Sequence, residues 1–131
     1  MAKSGIVLIV DDDEVVLMTN RIFLEGAGYE VHTETNPLRL NRAIQANPPD
    51  VVLLDVRMPA INGDQVIDIL KRYEFSRNIP ILLFSDLEES ELKALVRRTQ
   101  ADGYVKKSAG QAHLIETVER YVSRRLGTAA V

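Results

Sequence analysis

The sequence contains no cysteine. That excludes disulfides, thiolate metal sites, iron–sulfur clusters and a cysteine nucleophile, and it suits a reducing cytoplasm. Basic residues are in deficit: 16 lysines and arginines face 19 aspartates and glutamates, a formal net charge of −3. No cationic excess is present to neutralise a phosphate backbone, so direct nucleic-acid binding is not expected. Long apolar runs are missing as well; none approaches the ~20 residues of a membrane span. Ile6–Val10 runs straight into three aspartates, too short an apolar stretch for a secretory signal, and Ala2 in place of glycine excludes N-myristoylation. The two histidines, His32 and His113, lie far apart and suggest no metal site.

What is present is the material of one globular domain: 131 residues, 46% of them apolar, enough to bury a core without covalent staples. Ile6–Val10 (IVLIV), Val51–Leu54 (VVLL) and Ile79–Phe84 (IPILLF) are short apolar runs, as expected of parallel strands covered on both faces. Tyr29–Thr33 (YEVHT) alternates like an edge strand, and Gly103–Lys107 (GYVKK) is a fifth strand ending in charge. Helices fill the intervals. Glu14 to about Gly26 carries Val15, Met18, Ile22 and Phe23 at helical spacing. Asn36-Pro37 opens a second helix that stops before Pro48-Pro49. Gly63–Tyr73 is a third, with Val66, Ile67, Leu70 and Tyr73 as its apolar positions. Asp86-x-x-Glu89 reads as the capping box of a fourth, and Ser85-x-x-Glu88 offers a second possible box. Leu114, Ile115, Val118, Tyr121 and Val122 mark the face of a fifth. Alternating strands and helices predict an α/β fold: a doubly wound, flavodoxin-like (βα)5 sandwich with a parallel sheet. The alternating second strand belongs at an edge, giving order 2-1-3-4-5.

Sites in such sheets lie at the carboxyl ends of the strands. The first strand ends at Asp11-Asp12-Asp13, the third at Asp55, the fourth at Ser85 and the fifth at Lys107. With strands 1 and 3 adjacent, Asp11, Asp12 and Asp55 converge. Oxygen ligands of this kind suit a hard cation such as Mg²⁺, and a carboxylate beside it can serve as a phosphoryl acceptor. Lys107 adds a positive charge and Ser85 a hydroxyl donor for a phosphoryl oxygen. Each residue also has a structural use: Asp13 and Glu14 as helix caps, Ser85 as part of a capping box, Lys107 as a solvated edge charge. Asp55 follows four apolar residues, where a carboxylate has little structural value. The joint placement at four strand ends favours the functional reading.

The segments Ile6–Asp12 (IVLIVDD), Val51–Pro59 (VVLLDVRMP) with Gly63 beyond, Ile81–Ser85 (ILLFS) and Gly103–Lys107 (GYVKK) together resemble the receiver domain of two-component response regulators. The resemblance runs from about Ile6 to Arg125. It implies a receiver domain over residues 6–125 with short tails, 1–5 and 126–131, and hence a single-domain regulator whose output is another protein docking on it. By the same resemblance, Asp55 is the phosphoacceptor, Asp11 and Asp12 hold Mg²⁺ with Asp55 and the backbone carbonyl of Arg57, and Lys107 contacts the phosphoryl group. Ser85 is the hydroxyl residue that moves onto that group, and Tyr104 the aromatic that turns inward with it. The implied phosphodonor is a sensor histidine kinase or phosphotransfer protein. The implied output face is the fourth helix, fifth strand and fifth helix, read by an effector or a second copy. On this reading the chain is a cytoplasmic switch rather than an enzyme acting on a separate substrate.

Two positions depart from the family's usual pattern. Ser108 stands where the family has a proline, often after a cis bond; a cis bond before serine would cost ~2.5–4 kcal/mol against ~0.5–1 for proline. Asp86 stands where the family has a small residue; it is read either as the cap of the fourth helix or as a charge narrowing access to Asp55. Arg57 and Leu87 occupy variable positions that tune phosphate lifetime in the family. These departures raise an alternative, a receiver acting as a phosphorylation-independent interaction module, which the retained carboxylates and Lys107 argue against. A haloacid-dehalogenase-like phosphatase would need a second aspartate where Arg57 stands, and a flavin phosphate would be repelled by Asp11-Asp12-Asp13.

Overall fold

The computed structural model describes residues 5–56, 63–72 and 77–127. It contains a five-stranded parallel sheet built from β1 (Ile6–Val10), β2 (Glu30–Glu34), β3 (Val51–Leu54), β4 (Ile81–Ser85) and β5 (Gly103–Lys106), in the order β2-β1-β3-β4-β5. The expected fold class and strand order are those observed. Helices α1 (Glu14–Gly26), α2 (Leu40–Ala46), α3 (Gly63–Arg72), α4 (Glu89–Thr99) and α5 (Gln111–Leu126) lie between and after the strands. Tyr73, Arg57, Met58 and Pro59 fall outside the described residues.

The central strands read as continuous apolar runs because both of their faces are covered. Successive side chains alternate between two cores. Leu8, Val10, Val52, Leu54, Ile81 and Leu83 pack with Leu40 and Ile44 of α2, Ile67 of α3 and Leu92 of α4. Val7, Ile9, Val51, Leu53, Leu82 and Phe84 pack with Leu17 and Leu24 of α1 and with Leu114, Val118 and Val122 of α5. β2 pairs with β1 alone, and its burial is correspondingly mixed.

Three local expectations change. Helix α1 buries Leu17 and Leu24, whereas Val15, Met18 and Ile22 are exposed. The helix has apolar residues on two faces, so spacing alone selects the wrong one. Second, the helix after Asn36 starts with a 3-10 turn, Pro37–Arg39, before α2; Asn36 still caps it, accepting the Leu38 N–H at 2.9 Å. Third, neither capping box forms at α4. That helix begins at Glu89 with Glu88 as its cap residue and no capping side chain. The Ser85 hydroxyl accepts the Leu87 N–H at 3.2 Å, and Asp86 reaches away to another loop. Glu89 and Glu91 in the first turn complement the helix dipole instead.

Gly103 opens β5 at a close approach. A Cβ there would lie 2.5 Å from the Tyr121 hydroxyl, which itself donates to the Asp102 carbonyl at 2.9 Å and ties α5 to the start of the strand.

Candidate functional site

Parallel registry brings the acidic residues together. Val10 of β1 pairs with Leu54 of β3, so Asp11 and Asp55 leave the sheet side by side. The Asp55 N–H extends the ladder by donating to the Val10 carbonyl at 2.9 Å, and the Asp11 N–H donates to the Glu34 carbonyl at 3.1 Å. Both carboxylates sit in the protein interior, with Asp11 at 0% and Asp55 at 4% exposure. Asp12 is exposed. Carboxylate oxygens of Asp11, Asp12 and Asp55 lie within 4.8 Å of one another. Asp13 stands apart from this group, capping α1 by accepting the Val15 N–H at 2.9 Å.

Buried carboxylates at this spacing repel unless a cation or hydrogen bonds compensate them. Asp11 has both. One oxygen accepts the Asp13 N–H at 2.9 Å, and the other lies 2.6 Å from the Lys107 ammonium. Lys107 also lies 3.4 Å from Asp55 and 5.8 Å from the centre of the Phe84 ring. Burial alone would lower the lysine's pKa; the close contact with Asp11 and the charges of Asp55 and Asp11 outweigh it and hold the ammonium above its ordinary value. Ser85 is buried at 1% exposure and is paired across the sheet with Lys106, so its loop runs beside the turn that carries Lys107. Lys107 lies just past β5, in a 3-10 turn over Lys107–Ala109, and the described peptide bonds are all trans.

Tyr104 on β5 is half-buried against α4, and its hydroxyl donates to Glu89 at 2.6 Å. That bond raises the tyrosine's pKa and lowers the glutamate's. Beside it is a cleft of about 380 Å³ lined by Glu89, Tyr104, Lys106, His113, Arg120 and Tyr121. Spacing gave no hint of the Glu89–Tyr104 and Asp86–Ser108 contacts, which span 15 and 22 residues. The carbonyl of Arg57 lies outside the described residues.

Comparison with known proteins fits this arrangement. The family model for the response regulator receiver domain matches residues 7–119. The chain belongs to that family. The receiver is 32% identical over 130 residues to the transcriptional regulatory protein CseB of Streptomyces avermitilis, covering 99% of this chain but 54% of CseB. It thus spans about half the length of that relative. It is 28% identical over 122 residues to the polar-differentiation response regulator DivK of Brucella anthropi, covering 93% of this chain and 98% of DivK. The chemotaxis response regulator CheY4 of Vibrio cholerae superposes on the receiver with a TM-score of 0.82 at 26% identity, over 91% of this chain and 99% of CheY4. Membership places the chain among two-component signalling proteins. Among the described residues, no helix is long and apolar enough to cross a membrane.

Proposed function

We propose that this receiver is a phosphorylation-dependent switch in which Asp55 accepts a phosphoryl group from a phosphohistidine on a sensor histidine kinase or phosphotransfer protein. The observation that carries the reading is the juxtaposition of a nearly buried Asp55 with Asp11, Asp12 and Lys107 at the carboxyl edge of the sheet. In the transfer, an Asp55 carboxylate oxygen forms a bond to phosphorus as the phosphorus–nitrogen bond breaks, and the electron pair leaves on the donor imidazole.

The all-oxygen donor set of Asp11, Asp12 and Asp55 fits Mg²⁺, with the Arg57 carbonyl as the further ligand that the family resemblance implies. When bound there, Mg²⁺ would offset the negative charge of the incoming phosphoryl oxygens. Lys107, already facing Asp11 and Asp55, neutralises charge on the same side. Ser85 turns its hydroxyl from the Leu87 N–H toward a phosphoryl oxygen, and Tyr104 exchanges Glu89 for an inward packing. The two packings then differ in stability by what the phosphoryl group contributes to one of them. The face formed by α4, β5 and α5 is where an effector, or a second copy, would read the difference. The site is cytoplasmic in this reading, and the chain acts on no separate substrate.

Incubation with a small phosphodonor and Mg²⁺ tests the assignment. The intact mass should rise by one phosphoryl group in the wild type and stay unchanged in Asp55→Asn. Uptake that persists in Asp55→Asn would overturn the Asp55 assignment, and no uptake by the wild type would favour the phosphorylation-independent module instead.

A further inference from the structure

The two residues that depart from the family's pattern touch each other. Asp86 follows Ser85 at the end of β4, and Ser108 follows Lys107 past the end of β5. The Ser108 N–H donates to the Asp86 carboxylate at 2.8 Å across 22 residues of sequence. The turn that receives this bond, Lys107–Ala109, has no side-chain cap from its own cap residue, Lys106, and is followed by Gly110 at φ 99°. The first N–H groups of a short helical turn lack partners within it, so an acceptor brought from another loop fixes the turn in place. A proline at position 108 would have no hydrogen to donate. Serine retains one, and Asp86 uses it.

We propose that Asp86 is a positioning residue for Lys107: by accepting the Ser108 N–H, its carboxylate holds the turn after β5 and with it the ammonium that faces Asp11 and Asp55. The role that Lys107 then plays in phosphoryl transfer rests on the reading of Asp55 given above. A charge-assisted hydrogen bond is shorter and stronger than a neutral one, which suits a contact that is exposed to water. The bond also joins the two loops whose side chains converge on the phosphoryl group, so displacement of Ser85 is felt next to Lys107.

Four variants test this, all at exposed positions: Asp86→Ala, Asp86→Asn, Ser108→Ala and Ser108→Pro. The first readout is the NMR signal of the Lys107 side-chain ammonium, which its ion pair with Asp11 shields from exchange with water. The second is the rate of phosphorylation by a small phosphodonor with Mg²⁺. Asp86→Ala and Ser108→Pro should each broaden the Lys107 signal and slow phosphorylation about 3- to 10-fold, and combining them should add nothing. Asp86→Asn retains an acceptor oxygen and Ser108→Ala retains the N–H, so both should keep the signal and most of the rate. An unchanged Lys107 signal in Asp86→Ala, or Ser108→Ala behaving like Ser108→Pro, would overturn the proposal. Absence of phosphorylation in the wild type would instead sink the Asp55 reading, and the Lys107 signal would still decide whether Asp86 positions the lysine.

Discussion

Lys107 faces both buried carboxylates at one sheet edge. It contacts Asp11 and Asp55 and leaves Asp12 toward solvent. Lys107→Ala should therefore lower the free energy of unfolding by about 1–3 kcal/mol in metal-free buffer, because it strands buried charge. Added Mg²⁺ should recover part of the lost thermal stability in a melting experiment, and no recovery would argue against a cation site among the three aspartates. Tyr104 gives a pH signature. Its raised pKa means that its bond to Glu89 contributes stability below the ordinary tyrosine value of 10.0, and the contribution is lost as pH rises through the raised value. Glu89→Ala should bring the Tyr104 titration back toward 10.0, seen by NMR, while Tyr29, pushed up to about 12 by burial and then by Glu119, titrates later. The aspartates, Ser85 and Lys107 were legible because each ends a strand, and strand ends can be read from apolar runs. The partners of Asp86 and Tyr104 were not, because register across β4 and β5 decides which loop residues meet.

Helix α1 shows where periodicity misleads. Val15, Met18 and Ile22 share one face and Leu17 and Leu24 another, and only the second meets the sheet. Leu24→Ala should cost about 2–5 kcal/mol in urea denaturation, whereas Met18→Gln should fall within about 0.5 kcal/mol of the wild type. Equal costs would mean that both faces are covered. At α4, sequence offered two overlapping capping boxes, and neither forms because Ser85 and Asp86 bond elsewhere. Cap residues compete for several backbone N–H groups, and long-range geometry decides between them. Strands were easier: four or five consecutive apolar residues leave few alternatives once both faces are covered.

For the molecule as a whole, strand order does the functional work. Placing β1 between β2 and β3 sets Asp11 and Asp12 beside Asp55, and placing β4 next to β5 sets Ser85 beside the turn of Lys107. The same order was legible from one edge-type strand among apolar ones. A phosphoryl group at Asp55 is proposed to change the distant face of α4, β5 and α5. The most direct test is the backbone amide NMR spectrum with and without beryllofluoride, a phosphoryl mimic, in the presence of Mg²⁺. The expected result is shifts at Asp11, Asp12, Asp55 and Lys107 together with shifts at Tyr104 and Glu89, all lost in Asp55→Asn. Shifts confined to the acidic cluster, or a spectrum that does not respond, would contradict it.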